Sequence, residues 1–192
     1  MPLKEETISP ASAPKNVAVI GAGPLGRWLA LAAARAGFRV LLEDVMPSNL
    51  HHAQEELRRQ LSPPDSGPGL GNIAFVHSIE DAVREADLVI DCVPDELESK
   101  LEILWLLDRM APPRTVLATP TINLSIADLA NCTYRPEKCI AIAVDPRAFT
   151  RPSQSGSIVL RSATRTSGAT IALVRAFWQA LGIEVSVEVA EA

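Results

Sequence analysis

The sequence predicts an α/β fold: one domain built on a doubly wound, mostly parallel sheet with helices on both faces. Three observations predict it. Short apolar runs alternate with Ala- and Leu-rich helical patterns from residue 16 to residue 189. The interior is aliphatic, since 47% of residues are hydrophobic and only 4% aromatic, and such residues fill stacked helix and sheet layers. A glycine-rich turn, Gly21 to Gly26, follows the first apolar run and opens the first helical pattern.

The elements follow in order. Asn16 to Ile20 is the first strand, Pro24 to Ala36 a helix stopped by Gly37, and Phe38 to Leu42 the second strand. This is one βαβ unit; a helical crossover makes its strands parallel and its connection right-handed. Residues 49 to 61 read as helix, and SPPDSGPGLG (62 to 71) as a Pro- and Gly-rich loop. Ile73 to Val76 is a third strand, and Ser78-x-x-Asp81 resembles the N-terminal cap of a short helix. Leu88 to Val93 is a buried strand. The helix from Asp95 to Met110 repeats Leu97, Leu101, Leu104 and Leu107 on one face. Strands at Thr115 to Ala118, Cys139 to Val144, Ser157 to Leu160 and Ile183 to Val187 complete the sheet. Helices at Ser125 to Ala130 and Thr166 to Leu181 interleave with them. The alternation shows no boundary, so residues 15–189 form one domain and residues 1–14 a flexible tail.

Composition excludes several classes. The 23 acidic and 18 basic residues give a formal charge of −5, which argues against nucleic-acid binding. Three cysteines, Cys92, Cys132 and Cys139, form no C-x-x-C pair, so neither a zinc site nor a disulfide framework is read from them. Residues 1 to 14 lack the apolar core of a signal peptide, and no apolar stretch is long enough to span a bilayer. A cytoplasmic protein with no metal is the expectation.

The turn Gly21-Ala22-Gly23-Pro24-Leu25-Gly26 has G-x-G-x-x-G spacing in the strand-to-helix context of a Rossmann dinucleotide site. Gly21 permits the tight turn, Gly23 lets backbone approach the pyrophosphate, and Gly26 lets helix and strand pack closely. Pro24 suits the first helical turn. N–H groups at the helix start, those of Leu25 and Gly26 included, favour an anion. Asp44 lies 18 residues past Gly26 at the end of the second strand. A carboxylate there accepts hydrogen bonds from ribose hydroxyls and repels the 2′-phosphate of NADP, so NAD is the expected cofactor. Glu43 is the neighbouring candidate, but strand alternation points only one of the two at the ribose. FAD can use the same arrangement.

Together these segments resemble the NAD-binding domain of the 3-hydroxyacyl-CoA dehydrogenases, from about Lys15 to Val189. The resemblance is carried by VAVIGAGPLGRWLALAAARAGFRVLLED, by ADLVIDCVPDELESK, by VLATPTINLSIADLA and by AVDPRAF. It implies NAD-dependent oxidation of a 3-hydroxyacyl-CoA in fatty acid metabolism, with a His–Glu pair acting on the hydroxyl, and a homodimer. Aligning Asp145-Pro146 with the family's Asn-Pro places Ile142 where the His belongs. The histidines are His51, His52 and His77, and none follows. The Glu position falls on Asp95, or on Glu96 if the register slips. The family's Ser-Asn-Thr-Ser-Ser motif reads Thr119, Pro120, Thr121, Ile122, Asn123. The family's helical arm and C-terminal helical domain have no evident counterpart here.

Asp95, Thr119 and Asp145 are therefore weak catalytic candidates. Asp95 also reads as a helix N-cap, and Asp145 as a turn residue before Pro146. Cys92, Trp105 and Trp178 read as packing residues, and His51 and His52 as solvated surface. The expected function is an NAD-binding domain of this type, inactive alone for want of the His. The alternatives are an active NAD-dependent oxidoreductase on another small hydroxy or keto substrate, and a non-catalytic NAD-responsive interaction module.

Overall fold

The computed structural model describes residues 13–61, 72–146 and 156–190. Most of the N-terminal tail, the loop 62–71 and the end of AVDPRAF lie outside the described residues. Eight strands form a single sheet: β1 (Asn16–Ile20), β2 (Arg39–Glu43), β3 (Ile73–Val76), β4 (Leu88–Asp91), β5 (Val116–Pro120), β6 (Cys139–Ile142), β7 (Ser157–Ser162) and β8 (Glu184–Val189). Their order is β3-β2-β1-β4-β5-β6-β7-β8. The chain winds outward from β1 in one direction, then from β4 in the other, as the sequence predicts. Only β6 and β7 pair antiparallel; among the described residues no helix separates them, and strands joined without a helical crossover are free to reverse.

The helices are α1 (Pro24–Arg35), α2 (Pro47–Leu61), α3 (Ile79–Val83), α4 (Leu97–Met110), α5 (Ile126–Asn131) and α6 (Gly168–Ala180). Strand alternation sorts the apolar residues into two cores. Val17, Val19, Val40 and Leu42 pack with Leu25 and Leu29 of α1, Leu50 and Leu57 of α2, and Val174, Phe177 and Trp178 of α6. Ala18, Ile20, Leu41 and Val89 face Val83 of α3, Leu104 and Leu107 of α4, and Leu129 of α5. Each Leu fully removed from water contributes roughly 1.5–3 kcal/mol, so the two cores carry the fold. Ser78, Ser125 and Ser167 cap α3, α5 and α6, accepting from the N–H of Asp81, Asp128 and Thr170. Each cap is worth about 1 kcal/mol. Among the described residues no helix is long and apolar enough to cross a membrane.

Two expectations about helix faces need correction. The buried stripe of α4 is Lys100, Ile103, Leu104 and Leu107, whereas Leu97 is 51% exposed. The helix is turned so that Lys100 points at the sheet, where it has a buried partner, while Leu101 packs against the core only in part. Trp105 is not a packing residue: it is 48% exposed, with the Arg109 guanidinium 4.8 Å over its ring. Trp178 is buried as expected and stacks on Trp28 at 6.0 Å.

Candidate functional site: a nucleotide cradle at the carboxyl edge of the sheet

The turn after β1 is built on backbone. Gly21 adopts φ +103°, which L side chains rarely reach, and its N–H donates to the Glu43 carbonyl at 2.7 Å. A Cβ on Gly26 would lie 1.9 Å from the Gly21 carbonyl oxygen, so only glycine lets α1 start this close to the strand. A Cβ on Gly23 meets nothing within 4 Å. Gly21 and Gly26 are thus required by the fold, while Gly23 is required only by what approaches it. Gly23 caps α1 with no side-chain hydrogen bond, and the helical ladder begins with Arg27 N–H to the Gly23 carbonyl at 2.9 Å. The N–H groups before it, those of Leu25 and Gly26, are left facing out of the helix end. The Leu25 side chain itself is buried in the core and touches no ligand space.

Asp44 ties this turn to the end of β2. One carboxylate oxygen accepts from Ala22 N–H at 2.8 Å; the other accepts from Met46 N–H at 2.8 Å and from Asn49 Nδ2 at 3.2 Å. The sequence expectation that only one of Glu43 and Asp44 faces the ligand space does not hold. The strand ends at Glu43, alternation ends with it, and both carboxyls line the same cavity. Glu43 is only 4% exposed, and burial together with the Asp44 charge pushes its pKa up to about 7.

The cavity has a volume of about 390 Å³ and opens over Gly21, Gly23 and Pro24. Its remaining walls are largely apolar, with Ile20, Ile79, Val93, Pro94, Ile103 and Pro146. Its charged and amide side chains, Glu43, Asp44 and Asn49, all stand at the β2 end. Cys92 also borders it, but burial and the Asp91 charge push its thiol pKa far up, so it is no nucleophile.

The catalytic candidates lie elsewhere on the same edge. Asp95 is not the N-cap of α4; Glu96 holds that position. The Asp95 carboxylate instead accepts from the Thr121 hydroxyl at 2.5 Å and from Ile122 N–H at 2.9 Å, strapping the loop after β5 to the loop after β4. Thr119 is 1% exposed, and among the described residues its hydroxyl has no partner. Asp145 is half-buried beyond β6. None of the three lines the cavity. Ile142 is 1% exposed, packed in the core under α1 and α6 and opposite Leu160 of β7.

Sequence reasoning missed a buried ion pair. Lys100 Nζ meets Asp91 Oδ1 at 2.5 Å, with both side chains fully buried. A signal was available: Asp91 interrupts an apolar strand, and Lys100, nine residues on, interrupts an apolar helix stripe. Two opposite charges, each out of pattern, satisfy one another only by pairing. Because Ile90 pairs with Ala118, Asp91 and Thr119 stand side by side on the face toward α4.

Comparison with known proteins places this architecture. The model of the 3-hydroxyacyl-CoA dehydrogenase NAD-binding domain matches residues 16–191. The chain belongs to this family. It is 33% identical over 138 residues to a probable 3-hydroxybutyryl-CoA dehydrogenase of Bacillus subtilis, covering 67% of this chain and 47% of that protein. It is 32% identical over 183 residues to the 3-hydroxybutyryl-CoA dehydrogenase of Bradyrhizobium diazoefficiens, covering 90% and 60%. Among solved structures, the 3-hydroxybutyryl-CoA dehydrogenase of Escherichia coli K12 superposes with a TM-score of 0.81 at 25% identity, covering 92% of this chain and 38% of that one. The chain therefore spans about half the length of the curated relatives it matches. Its cofactor is NAD, which supplies a hydride acceptor when bound. The cradle fits it: open space over Gly23 for the pyrophosphate, and Asp44 at the end of β2.

Proposed function

We propose that this chain holds NAD through Gly21, Gly23, Pro24, Leu25, Gly26 and Asp44, and by itself does not oxidise a 3-hydroxyacyl-CoA. The observation that carries the reading is Ile142. Alignment puts it where the family's proton-accepting His belongs, and it is an apolar residue buried in the core. Hydride can leave the substrate carbon only as its hydroxyl loses a proton, and a positioned base supplies about 10²–10⁴-fold of the rate. No His follows residue 77, and the charged groups that line the cavity all stand at its nucleotide end. A partner or a further stretch of chain that supplies a base and the second wall of the cleft would complete the site. The direct assay offers acetoacetyl-CoA and NADH to the purified protein and follows nicotinamide absorbance. The expected result is no turnover above background; steady turnover above about 1 s⁻¹, within the ordinary enzyme range, overturns the reading in favour of an active oxidoreductase.

Self-association belongs to the same proposal. Val174 and Trp178 of α6 are buried against the sheet, whereas Leu97 and Trp105 stand half-exposed on α4. Sedimentation at high micromolar concentration tests for a homodimer, and a persistent monomer counts against it.

A further inference from the structure

Glu43 is an anomaly in this cradle. It closes β2 in register with Ile20, which is itself in register with Asp91 on the other side. The residue is only 4% exposed, yet it borders the cavity. Among the described residues, its carboxyl has no hydrogen-bond partner. Asp91, two strands away, is paired with Lys100, and Asp44 spends both oxygens on its own backbone. A carboxyl that borders a cavity without a protein partner is open to a ligand's hydrogen bond.

We propose that Glu43 reads the base of the bound dinucleotide, its carboxyl pairing with the amino group and adjacent ring nitrogen of adenine. The inference rests on NAD binding in this cavity. A dinucleotide lies across the carboxyl ends of the strands, with its adenosine at the acidic end of β2. There Ile79, Val93, Pro94 and Ile103 offer apolar walls to the faces of a flat base, and Glu43 is the polar group that meets its edge. A protonated carboxyl presents one donor and one acceptor side by side. Adenine presents the complement, an N–H donor beside an unprotonated ring nitrogen. A carboxylate presents acceptors only, so it would keep one bond and set a lone pair against the ring nitrogen.

The surroundings favour the proton. Burial and Asp44 together raise the Glu43 pKa to about 7. The other charged groups of the packed elements do little to reverse this. His77 after β3 is exposed, and so is Glu80, which with Asp81 forms the acidic first turn of α3. Lys100 of α4 is neutralised by Asp91. Adenine therefore binds the protonated form, which dominates below about pH 7 and is lost above it. NAD affinity is full on the acid side and falls as pH rises through neutrality.

Calorimetric titration of the full chain tests this at pH 6, 7 and 8.5. Wild-type affinity for NAD should fall about tenfold or more from pH 6 to 8.5. Glu43→Gln, which keeps one donor and one acceptor at every pH, should bind as the wild type does at pH 6 and lose the pH dependence. At pH 6 the wild type should prefer NAD over nicotinamide hypoxanthine dinucleotide, whose base carries an oxo group and a ring N–H, by at least tenfold. Glu43→Leu, which suits its apolar surroundings, should bind NAD more weakly and lose that preference. Tight NAD binding with a flat pH profile in the wild type, or undiminished base preference in Glu43→Leu, overturns the proposal while leaving the NAD site standing. No binding by the wild type at any pH overturns both.

Discussion

The carboxyl edge of this sheet carries buried polar groups in two regions, and the two handle them differently. At the β1–β2 end, Glu43 and Asp44 border a cavity, and the turn beside them leaves open space at Gly23. At the β4–β5 end, Asp91, Lys100 and Thr119 are buried between sheet and helices; the two charges meet one another, while Asp91 Oδ2 and the Thr119 hydroxyl have no partner among the described residues. The first arrangement tolerates imperfect internal pairing because a ligand can finish it. The second must balance its charges from within, since an unpaired charge there has no other recourse. The contrast separates the part of this edge that is open to a ligand from the part that holds the fold.

The largest effect should come from breaking the buried pair at the β4–β5 end. Lys100→Met leaves the Asp91 carboxylate buried and unpaired, which typically destabilises by about 3–5 kcal/mol. The double variant Asp91→Leu with Lys100→Met removes both charges and should recover most of that loss. Urea unfolding of the two variants beside the wild type reads this out. Equal loss in the single and double variants would mean that the pair contributes through packing rather than charge.

A pair of glycine variants separates fold from ligand at the open region. Gly26→Ala drives a methyl into the Gly21 carbonyl, and overpacking of this kind costs about 1–3 kcal/mol or more. A Cβ at Gly23 meets no protein atom, so the circular dichroism and melting of Gly23→Val should stay near those of the wild type while NAD titration goes flat. Retained binding in Gly23→Val would place the nucleotide elsewhere. A third measurement uses pH without ligand. An acid whose pKa is raised from 4.5 to about 7 on folding loses its proton in the unfolded chain first. The wild type should therefore shed roughly 3 kcal/mol of stability as pH rises from 4.5 through 7, and stay level above it. Glu43→Gln should remove that slope.

The nucleotide end was the legible part of the sequence. Gly21, Gly23, Gly26 and Asp44 follow from local chain geometry: a turn, a helix start and the end of a strand at fixed spacing. The doubly wound, mostly parallel sheet was legible for the same reason, since helical crossovers leave few topologies open. What the sequence hid were effects of tertiary neighbours. The α4 face was legible only in part from its leucines: Leu104 and Leu107 are buried, but Lys100 is drawn inward by an aspartate on another strand and Leu97 is left exposed. Asp95 looked like a cap because its partners, Thr121 and Ile122, are 26 and 27 residues away. Glu43 was set aside by strand alternation, which stops applying one residue later.

The smallest effect concerns cofactor choice, and it sharpens the account of Asp44. This carboxylate has two duties at the open region. It holds Ala22 and Met46 by their N–H groups, and its charge faces the space where a 2′-phosphate would stand. NADP should bind at least tenfold more weakly than NAD, a gap of about 1.4 kcal/mol. Asp44→Asn separates the duties. The amide oxygen can still accept one backbone hydrogen bond, but the negative charge is gone. If repulsion sets the preference, Asp44→Asn narrows the gap by weakening NADP rejection, with little change in melting temperature. If the carboxylate matters chiefly as a strap, the variant melts earlier and loses affinity for both cofactors alike, with the gap intact. Titrating both cofactors against both proteins, alongside thermal melts, decides between the two.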